Sequence, residues 1–461
     1  MALSSDVITA LSDIFSEQDL LTHTADCWPY GYDNSRRHAL PEAVVFAHRH
    51  QQVIDLVRLC NHRSIPLTAR GRGTGTTGAT VPTAGGIVVS LERMTRIAAV
   101  DSANRKVDVE PGVTNQALQD EAGRHGFFWP PDPTSAAFCS IGGNLGYNSA
   151  GPRALKYGTP RENTLALRAV TGDGRSIRTG TQTTKGVVGY DLTRLLIGSE
   201  GTLAIITEAT LKLTPLPEGK RTMQAVYSDM HSAAAAVSSI MAQPVIPCTL
   251  EFIDGTAIEM VRNYARAELP HGADAMLMIE VDGMASALDE AAQHVADAAK
   301  NPGLLSLQVA NTTADVAALW ETRKALSPAL RNVAPKKINE DVVVPVSAMA
   351  QLIDGLRHLS QRFDVPIVNF GHAGNGNIHV NLLIDPDNPT QMRNAEHCLS
   401  ETFDLVLKLN GSISGEHGVG LEKRDFVTRE IDAETLRLMH QIKHQFDPNG
   451  ILNLDKKLPT M

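Results

Sequence analysis

Apolar residues in the first part of the chain follow two spacings in turn. Residues 43–47 form a short apolar run, typical of a buried strand, and residues 51–63 carry apolar side chains at a helical spacing. A second short run at 65–69 leads directly into a glycine-rich loop at 70–78. A strand, a helix, a strand and a glycine loop in this order predict an α/β arrangement.

The two patterns continue to the end of the chain. A proline-rich linker at 215–219 separates the first region from one with alanine-rich helices, and helices over about 422–447 come last. Because 461 residues exceed what one compact core holds, we expect two or three domains. Further strands are predicted at 86–91, 106–110, 204–213, 275–280 and 365–369.

Composition favours a metabolite enzyme over a nucleic-acid or membrane protein. The formal net charge is −9, so nucleic acid and anionic membranes are poor partners. Residues 1–13 carry no secretory pattern, and no window is apolar enough for a membrane span. The five cysteines are widely spaced, without a CxxC pair, so reduced thiols and a cytoplasmic location are expected.

Three glycine-rich segments lie in the first half of the chain, at 70–78, 140–151 and 198–203. Glycine lets backbone N–H groups approach a phosphate closely and adopt positive φ angles. The first segment alone is equally compatible with a tight turn, and Pro82 breaks the helix that would follow a usual dinucleotide loop. Three such segments beside buried strands favour one large anionic ligand that contains a pyrophosphate.

A second group of chemically active residues lies near the other end of the chain. His372 and His379 flank a glycine-rich stretch, and Glu416 and His417 lie in another. Two histidines and a carboxylate are a common ligand set for a divalent transition metal such as zinc or manganese. The alternative is that these polar residues hydrogen-bond to backbone within glycine turns. Three histidines and a glutamate together favour the metal.

Two charged segments precede this group. Arg323 follows Trp320 in a predicted helix, where an arginine either solvates the helix surface or clamps a carboxylate with its planar guanidinium. Local sequence favours the solvated surface. Residues 336–341 form a charge cluster before a predicted strand at 342–346, which is typical of a solvated strand end.

Seven motifs, in their order and spacing, resemble the FAD-linked oxidases and dehydrogenases of the vanillyl-alcohol-oxidase/PCMH superfamily. The nearer branch holds D-lactate dehydrogenase, D-2-hydroxyglutarate dehydrogenase and the glycolate oxidase flavin subunit. The likeness runs from Pro41 to Asn453. The motifs are ARGRGTG at 69–75, PPDPTS at 130–135, IGGN at 141–144, GPRALKYG at 151–158, GSEGTL at 198–203, GHAGNGNIH at 371–379 and GEHGVG at 415–420.

The resemblance implies an α+β fold. It comprises a PCMH-type FAD-binding domain of two α/β subdomains, an inserted α+β substrate domain, and a C-terminal helical segment that returns to the FAD domain. The corresponding boundaries are 1–218 for the FAD domain, 219–412 for the substrate (cap) domain, and 413–461 for the segment that completes the active site.

The resemblance also assigns roles to single residues. His372, His379 and Glu416 would bind the metal, His417 would be the catalytic base, and Arg323 would hold the substrate carboxylate. No histidine lies in the loop at 70–78, so FAD is expected to be non-covalent. The residues implied to contact FAD are Arg70, Gly71, Gly73, Thr74, Gly75, Thr76, Pro131, Asp132, Thr134, Gly142, Asn144, Asn148, Ser149, Ile205, Ile206 and Asn453.

The chain departs from the family pattern at several positions. Asn375 stands where the family often has an aspartate, and Asn453 is followed by Leu-Asp-Lys rather than the common Pro-Gly-Lys. D-2-hydroxyglutarate dehydrogenases commonly carry a lysine two residues before an aspartate that corresponds to Asp341. Here that position is Asn339, although Lys337 lies nearby. The longer diacid is therefore disfavoured as the substrate.

The reaction implied is oxidation of a D-2-hydroxy acid, D-lactate-like, to the 2-oxo acid by hydride transfer to flavin, with metal and histidine assistance. The alternatives are D-2-hydroxyglutarate oxidation, or a role as the flavin subunit of a glycolate-oxidase-like complex. A quinone, a cytochrome or an electron-transfer flavoprotein would accept the electrons. No nucleic-acid partner and no membrane span are expected, and a homodimer is compatible with the family.

Overall fold

The chain divides into two structural units. A computed structural model describes residues 3–265, 269–320, 330 and 334–460. The first unit comprises Met1–Gly151, Gly158–Leu216 and Glu416–Met461, and the second comprises Pro152–Tyr157 and Pro217–Gly415. The chain therefore leaves the first unit after Leu216 and re-enters it at Glu416, and the short segment Pro152–Tyr157 belongs to the second unit.

The first sheet of the first unit is mainly parallel. Strand β4 pairs in parallel with both β2 and β3, and β1 adds an antiparallel edge next to β2. Alternate residues of β2 face two apolar layers. Val45 packs with Val53 and Leu56 of the following helix, while Val44 packs with Cys27. Burial on both faces explains the continuous apolar runs. The strands are β1 (Leu20–Leu21), β2 (Ala43–Phe46), β3 (Leu67–Arg70) and β4 (Ile87–Ser90).

The second sheet of the first unit is antiparallel, in the order β5-β9-β7-β8. Its apolar face packs with the helices Asn115–Arg124 and Ile141–Tyr147, in a core that includes the fully buried Trp129. Strands β6 and β10 form a separate, two-stranded antiparallel sheet. The strands are β5 (Lys106–Val109), β6 (Phe127–Phe128), β7 (Thr164–Thr171), β8 (Ser176–Gly180), β9 (Ala204–Lys212) and β10 (Thr214–Pro215).

The described helices of the first unit vary from four to fourteen residues. The segment at 140–151, predicted only as a glycine-rich loop, contains a helix because Ser140 caps its start by accepting a hydrogen bond from the N–H of Gly143. The α-helices are Ser5–Ile14, Thr24–Cys27, His50–Arg63, Asn115–Arg124, Ile141–Tyr147, Leu192–Leu196, Val427–Glu430 and Ala433–Phe446, and the 3₁₀ turns are Glu17–Asp19, Trp28–Tyr30 and Arg424–Phe426.

The second unit is built on one antiparallel sheet in the order β14-β11-β13-β12-β16-β17-β15. Its strands are β11 (Gly219–Tyr227), β12 (Thr249–Asp254), β13 (Ala275–Gly283), β14 (Leu304–Val309), β15 (Lys336–Val343), β16 (Ile367–His372) and β17 (Asn377–Ile384). Its α-helices are Ala154–Tyr157, Met230–Ala242, Gly255–Ala265, Leu288–Ala298, Met349–Phe363 and Pro389–Lys408, and its 3₁₀ turns are Ala285–Ala287, Val346–Ala348 and Ala373–Asn375. Across the described residues, no helix is both long and apolar enough to span a membrane.

The segment Pro152–Tyr157 is held in the second unit through the end of β13. Asp282 accepts hydrogen bonds at its carbonyl from the ammonium of Lys156, at 2.8 Å, and at its carboxylate from the hydroxyl of Tyr157, also at 2.8 Å. The Asp282 side chain is 8% exposed, and Lys156 also forms an ion pair with its carboxylate, so Tyr157 and Lys156 together satisfy a largely buried charge.

The charge cluster at 336–341 is not the solvated strand end that the sequence predicts. Residues 336–343 are strand β15 itself, which pairs with β17 along its whole length. Glu340 is 5% exposed and Asp341 is fully buried. Asp341 accepts hydrogen bonds from the N–H of Gly415, at 2.7 Å, and from the hydroxyl of Ser414, at 3.4 Å. Only the pairing of distant strands makes these carboxylates interior.

A buried carboxylate anchors the C-terminal segment of the first unit. Asp447 is 1% exposed and pairs with Lys443 one helical turn earlier. It also accepts hydrogen bonds from the N–H groups of Ile451, at 3.0 Å, and Leu452, at 2.8 Å. These bonds turn the chain after the last helix and direct it back along β3, where the N–H of Leu67 bonds to the carbonyl of Ile451.

Replacing Asp447 with alanine is expected to lower the free energy of unfolding of the first unit by about 2–4 kcal/mol, because the buried N–H groups of Ile451 and Leu452 lose their acceptor and the partly buried ammonium of Lys443 loses its charged partner. Urea titration followed by circular dichroism measures this change. Glu434→Ala is the matched control, since it removes an exposed pair with Arg437 from the same helix and is expected to shift the transition little. Equal stability of the two variants would contradict this account of the anchor.

Candidate functional site

The three glycine-rich segments line one cleft in the first unit. Gly71 comes from the first segment, Gly142 and Gly146 from the second, and Gly201 from the third. The wall is completed by the start of β9 and by the C-terminal segment. The other lining residues are Ala69, Arg70, Ala79, Thr80, Leu91, Pro111, Ser140, Gly143, Tyr147, Ser199, Glu200, Ala204, Ile205, Ile206 and Asn453.

Close contact between the first two segments depends on glycine at position 71. A Cβ atom there would lie 2.5 Å from the hydroxyl oxygen of Ser140, which caps the helix Ile141–Tyr147. Any larger residue would have to displace that cap. Glycine at position 71 is therefore required for close packing of the first segment against the second, independently of any ligand.

The guanidinium of Arg70 is already engaged within the protein. It is 7% exposed and donates hydrogen bonds to the carbonyl of Tyr32, at 2.6 Å, the hydroxyl of Thr80, at 3.3 Å, and the carbonyl of Pro29, at 3.4 Å. Burial lowers the pKa of Arg70, and the nearby carboxylate of Asp33 opposes that shift. Arg70 thus joins the start of the glycine loop to Thr80 and to the backbone at Pro29 and Tyr32.

Asn453 joins three parts of the cleft wall with one side chain. Its amide oxygen accepts from the N–H of Ala69, at 3.0 Å, and its amide nitrogen donates to the carbonyls of Ala79, at 3.2 Å, and Glu200, at 2.5 Å. The residue is 3% exposed and has a φ of 44°. A C-terminal residue therefore ties the end of β3 to Ala79, which follows the first glycine segment, and to Glu200 in the third.

The structure brings together part of the predicted flavin-binding set. Asn144 and Asn148 also form hydrogen bonds within the protein, with Asn115 and Thr159 respectively. The predicted residues that line the cleft are Arg70, Gly71, Gly142, Ile205, Ile206 and Asn453. The predicted residues outside the lining are Gly73, Thr74, Gly75, Thr76, Pro131, Asp132, Thr134, Asn144, Asn148 and Ser149.

The segment that holds Glu416 and His417 lies against the wall of the same cleft. A Cβ atom at Gly418, where φ is +82°, would lie 2.7 Å from the ring of Tyr147. The buried carboxylate of Glu200 accepts from the N–H groups of Val419, at 2.9 Å, and Gly420, at 2.7 Å. The carbonyl of His417 accepts from the hydroxyl of Thr77, at 3.3 Å.

Glu200 and Tyr147 are site residues that sequence reasoning missed. Both lie inside glycine-rich segments that the sequence marks as candidate ligand sites, but the glycines were the basis of that prediction, and nothing in the local pattern assigns a role to Tyr147 or Glu200. Burial raises the pKa of the Tyr147 hydroxyl well above its usual range. Tyr147 is therefore a neutral wall residue at physiological pH.

Glu416 has a hydrogen-bond partner within the first unit. Its carboxylate accepts from the N–H of Gly151, at 3.0 Å, at the end of the second glycine segment. Glu416 is the residue at which the chain re-enters the first unit. The residue before it, Gly415, belongs to the second unit and bonds to Asp341 there.

The two predicted histidine ligands come together in the second unit. His372 ends β16 and His379 lies in β17, joined by the 3₁₀ turn Ala373–Asn375. One ring nitrogen of each lies within 4.8 Å of the other, and the ring centroids are 5.2 Å apart with nearly perpendicular planes. Neutral imidazoles in this arrangement suit a divalent transition metal.

A carboxylate that sequence reasoning missed holds one of these histidines. The Nδ1 atom of His372 lies 2.5 Å from the carboxylate of Glu251, and the two residues are directly opposite each other on β16 and β12. The Glu251 side chain is 3% exposed. No local pattern marks Glu251, because it lies 121 residues from His372 along the chain.

Arg323, the predicted carboxylate clamp, lies outside the described residues. The described residue nearest to it before that gap is Trp320, whose indole N–H donates to the carboxylate of Glu280 at 3.0 Å. The role of Arg323 therefore remains a prediction from the resemblance.

Two family profiles match the chain. Residues 41–180 match the FAD binding domain, and residues 216–456 match the C-terminal domain of FAD linked oxidases. The chain is 36% identical over 455 residues to the glycolate oxidase subunit GlcD of Bacillus subtilis, covering 98% of this chain and 97% of that protein. It is 35% identical over 434 residues to D-lactate dehydrogenase of Archaeoglobus fulgidus, covering 93% and 95%.

Solved structures with low sequence identity share the fold. p-Cresol methylhydroxylase covers 97% of this chain, and 95% of its own length is matched, with a TM-score of 0.78 and 18% identity. The 4-ethylphenol oxidase of Gulosibacter chungangensis matches with the same TM-score and identity, over 99% and 98% of the two chains. The predicted PCMH-type α+β fold is confirmed.

Replacing Asn453 with alanine is expected to weaken FAD binding by about 10- to 100-fold, because three parts of the cleft wall lose their shared hydrogen bonds. Titration of the FAD-free protein with FAD, followed by flavin fluorescence, measures the affinity. Asn449→Ala is the control, since Asn449 is exposed and bonds only to Asn61 among the described contacts. Unchanged affinity of the Asn453 variant would show that the cleft does not depend on this side chain.

Proposed function

The chain belongs to the FAD-linked oxidases, and from this membership we propose that it oxidises a small D-2-hydroxy acid of the D-lactate type to the 2-oxo acid. The observation that carries the proposal lies within the first unit. There the segment of His417 packs against the wall of the glycine-lined cleft. His417 in this segment would then be the proton acceptor at the edge of the cofactor site.

We propose that the cleft holds FAD without a covalent bond. Its walls are largely backbone and small side chains, which suits a large flat ligand with a pyrophosphate. Among the described residues that line it, none is a histidine. When bound, FAD would accept two electrons from the substrate, and the protein's part is to orient and shield it.

The metal ligands proposed are His372, His379 and Glu416. The nearness of the two ring nitrogens in the second unit supports the first two. Support for Glu416 comes from its covalent neighbour, because Gly415 bonds to Asp341, which lies directly opposite His379 in the sheet. A divalent metal, zinc or manganese, would supply Lewis-acid assistance to the 2-hydroxyl group.

The remaining steps are assigned to side chains of this protein. A ring nitrogen of His417 would take the proton of the substrate hydroxyl. Arg323 would hold the substrate carboxylate through its planar guanidinium. A quinone, a cytochrome or an electron-transfer flavoprotein would then accept the electrons from the reduced flavin. The proposed location of the protein is the cytoplasm.

Asn339 favours a small substrate over a diacid. Its side-chain amide donates to the amide oxygen of Asn381 at 2.6 Å, and it carries no positive charge to pair with a distal carboxylate. Lys337 lies on the same face of β15, two residues away, and keeps D-2-hydroxyglutarate as the alternative substrate.

A second candidate role is that of a flavin subunit in a larger complex. Bacillus subtilis GlcD, which is similar over nearly the whole chain, is described as a subunit of glycolate oxidase. In the first unit the side chains of Val187, Val188 and Tyr190 are 96–98% exposed. Three exposed apolar side chains at one loop tip suit coverage by a partner chain or by a second copy.

Replacing His417 with alanine is expected to leave FAD content unchanged and to slow substrate reduction of the flavin by about 10²- to 10⁴-fold, since a general base is lost. Anaerobic stopped-flow absorbance at the flavin band measures the rate. His444→Ala is the control, because His444 is exposed on the last helix. A rate equal to that of the unaltered protein would remove His417 from the mechanism.

Removal of the metal is expected to abolish flavin reduction by the preferred substrate while leaving FAD bound. The measurement is anaerobic bleaching with D-lactate, glycolate, D-2-hydroxyglutarate and L-lactate, before and after chelator treatment, and after return of zinc or manganese. We expect D-lactate or glycolate to bleach the flavin, and L-lactate not to do so. Bleaching that survives complete metal removal would contradict the metal's role, and bleaching by D-2-hydroxyglutarate alone would favour the alternative substrate.

A further inference from the structure

We propose that Glu251 is a positioning residue that fixes the tautomer of His372 and so prepares its Nε2 atom to bind the metal. The inference rests on the proposed function, because it concerns how the histidine pair of the second unit is made ready for the ion. Neither the sequence motifs nor the resemblance to the family marks Glu251.

The geometry of the pair is that of a directed hydrogen bond. The Nδ1 atom of His372 and a carboxylate oxygen of Glu251 are 2.5 Å apart. The side chains are 12% and 3% exposed, respectively. A charge-assisted hydrogen bond in a water-poor interior is stronger than an exposed one, and it holds the ring at a set angle.

The register of the sheet maintains this contact. Glu251 on β12 is directly opposite His372 on β16, and His372 is opposite Asn377 on β17. Residues two apart on a strand share a face, so His379 lies on the same face as Asn377. Glu251, His372 and His379 are therefore on one face of the sheet, and Glu251 is the cross-strand neighbour of His372.

The chemical consequence follows from the two nitrogens of imidazole. A carboxylate accepts a hydrogen bond, so the proton of neutral His372 is held at Nδ1 and the lone pair is left at Nε2. A carboxylate that accepts a hydrogen bond from the other ring nitrogen also makes a metal-binding imidazole a stronger electron-pair donor to the metal. Loss of such a hydrogen-bond partner typically lowers metal affinity about 10- to 100-fold. Glu251 supplies this partner for His372.

Because Glu251 is buried, its loss would also affect stability, and the experiment must separate the two effects. Glu280 is the matched control. It is a carboxylate of the same sheet, 9% exposed at its side chain, and it accepts hydrogen bonds from Lys220, Thr222 and Trp320. Glu280→Ala therefore also removes a largely buried, bonded carboxylate of this sheet, but one that bonds to neither His372 nor His379 among the described contacts.

The test is titration of the chelator-stripped, FAD-loaded protein with Zn²⁺ by isothermal calorimetry, with bound metal counted by mass spectrometry. Glu251→Ala is expected to lower Zn²⁺ affinity about 10- to 100-fold, while Glu251→Gln, which keeps an oxygen acceptor for Nδ1–H, recovers part of it. Glu280→Ala is expected to bind Zn²⁺ like the unaltered protein. In ¹⁵N spectra of the metal-free protein, the His372 ring is expected to be protonated at Nδ1, and to lose that preference in Glu251→Ala.

The outcomes separate this inference from the proposed function. If the unaltered protein binds Zn²⁺ and Glu251→Ala binds it equally well, the inference fails while the metal site stands. Equal losses in Glu251→Ala and Glu280→Ala would also overturn it, because the effect would then be general destabilisation. If the unaltered protein binds no Zn²⁺, the metal part of the proposed function fails together with the inference.

Discussion

Close approach of backbone segments without intervening side chains is the constraint on which the first unit depends. Gly71 lies where a Cβ atom would strike the hydroxyl of Ser140, and Gly418 lies where one would strike the ring of Tyr147. Asn453 then ties the end of β3 to Ala79, just after the first glycine segment, and to Glu200 in the third, with one amide. The cleft is thus shaped by contacts among its own walls, and a pyrophosphate would meet backbone that is already held in place.

The second unit depends on a different rule, that buried polar groups must be paired. Its sheet brings Glu251 to His372, Asp341 to Gly415, and Asn339 to Asn381. Each of these pairs joins segments that are far apart in the chain. A polar interior of this kind is costly unless every group finds its partner, so the strand register and the polar pattern support each other.

The same fold occurs in proteins with other named activities. p-Cresol methylhydroxylase and 4-ethylphenol oxidase share the fold at 18% identity, whereas glycolate oxidase subunits and D-lactate dehydrogenases share 32–36% identity over most of the chain. A common fold does not determine a reaction, which depends on the side chains grafted onto it. For this protein, the proposal of a hydroxy-acid substrate starts from family membership, and the histidine pair in the second unit and the His417 segment in the first are the features taken to support it.

Elements with strong local periodicity were predictable from sequence. The helix expected at 51–63 is His50–Arg63, because burial of one helix face leaves a repeating apolar pattern, and the strand expected at 43–47 is Ala43–Phe46, because burial of both faces leaves a continuous apolar run. The glycine segments and the histidine pair were also visible, since each motif carries its residues within a few positions. The helix within 140–151 was missed, because its glycines hide the cap that Ser140 supplies.

What the sequence alone determined, then, is the family, the α+β fold and the short motifs, all of which are written in neighbouring residues. The tertiary structure decided that the three glycine segments line one cleft, that Asp341 is interior, and that Glu251 holds His372. These facts depend on which strands pair and in what register. That pairing is a property of the whole packed chain, because residues more than a hundred positions apart become neighbours only when the sheet has formed.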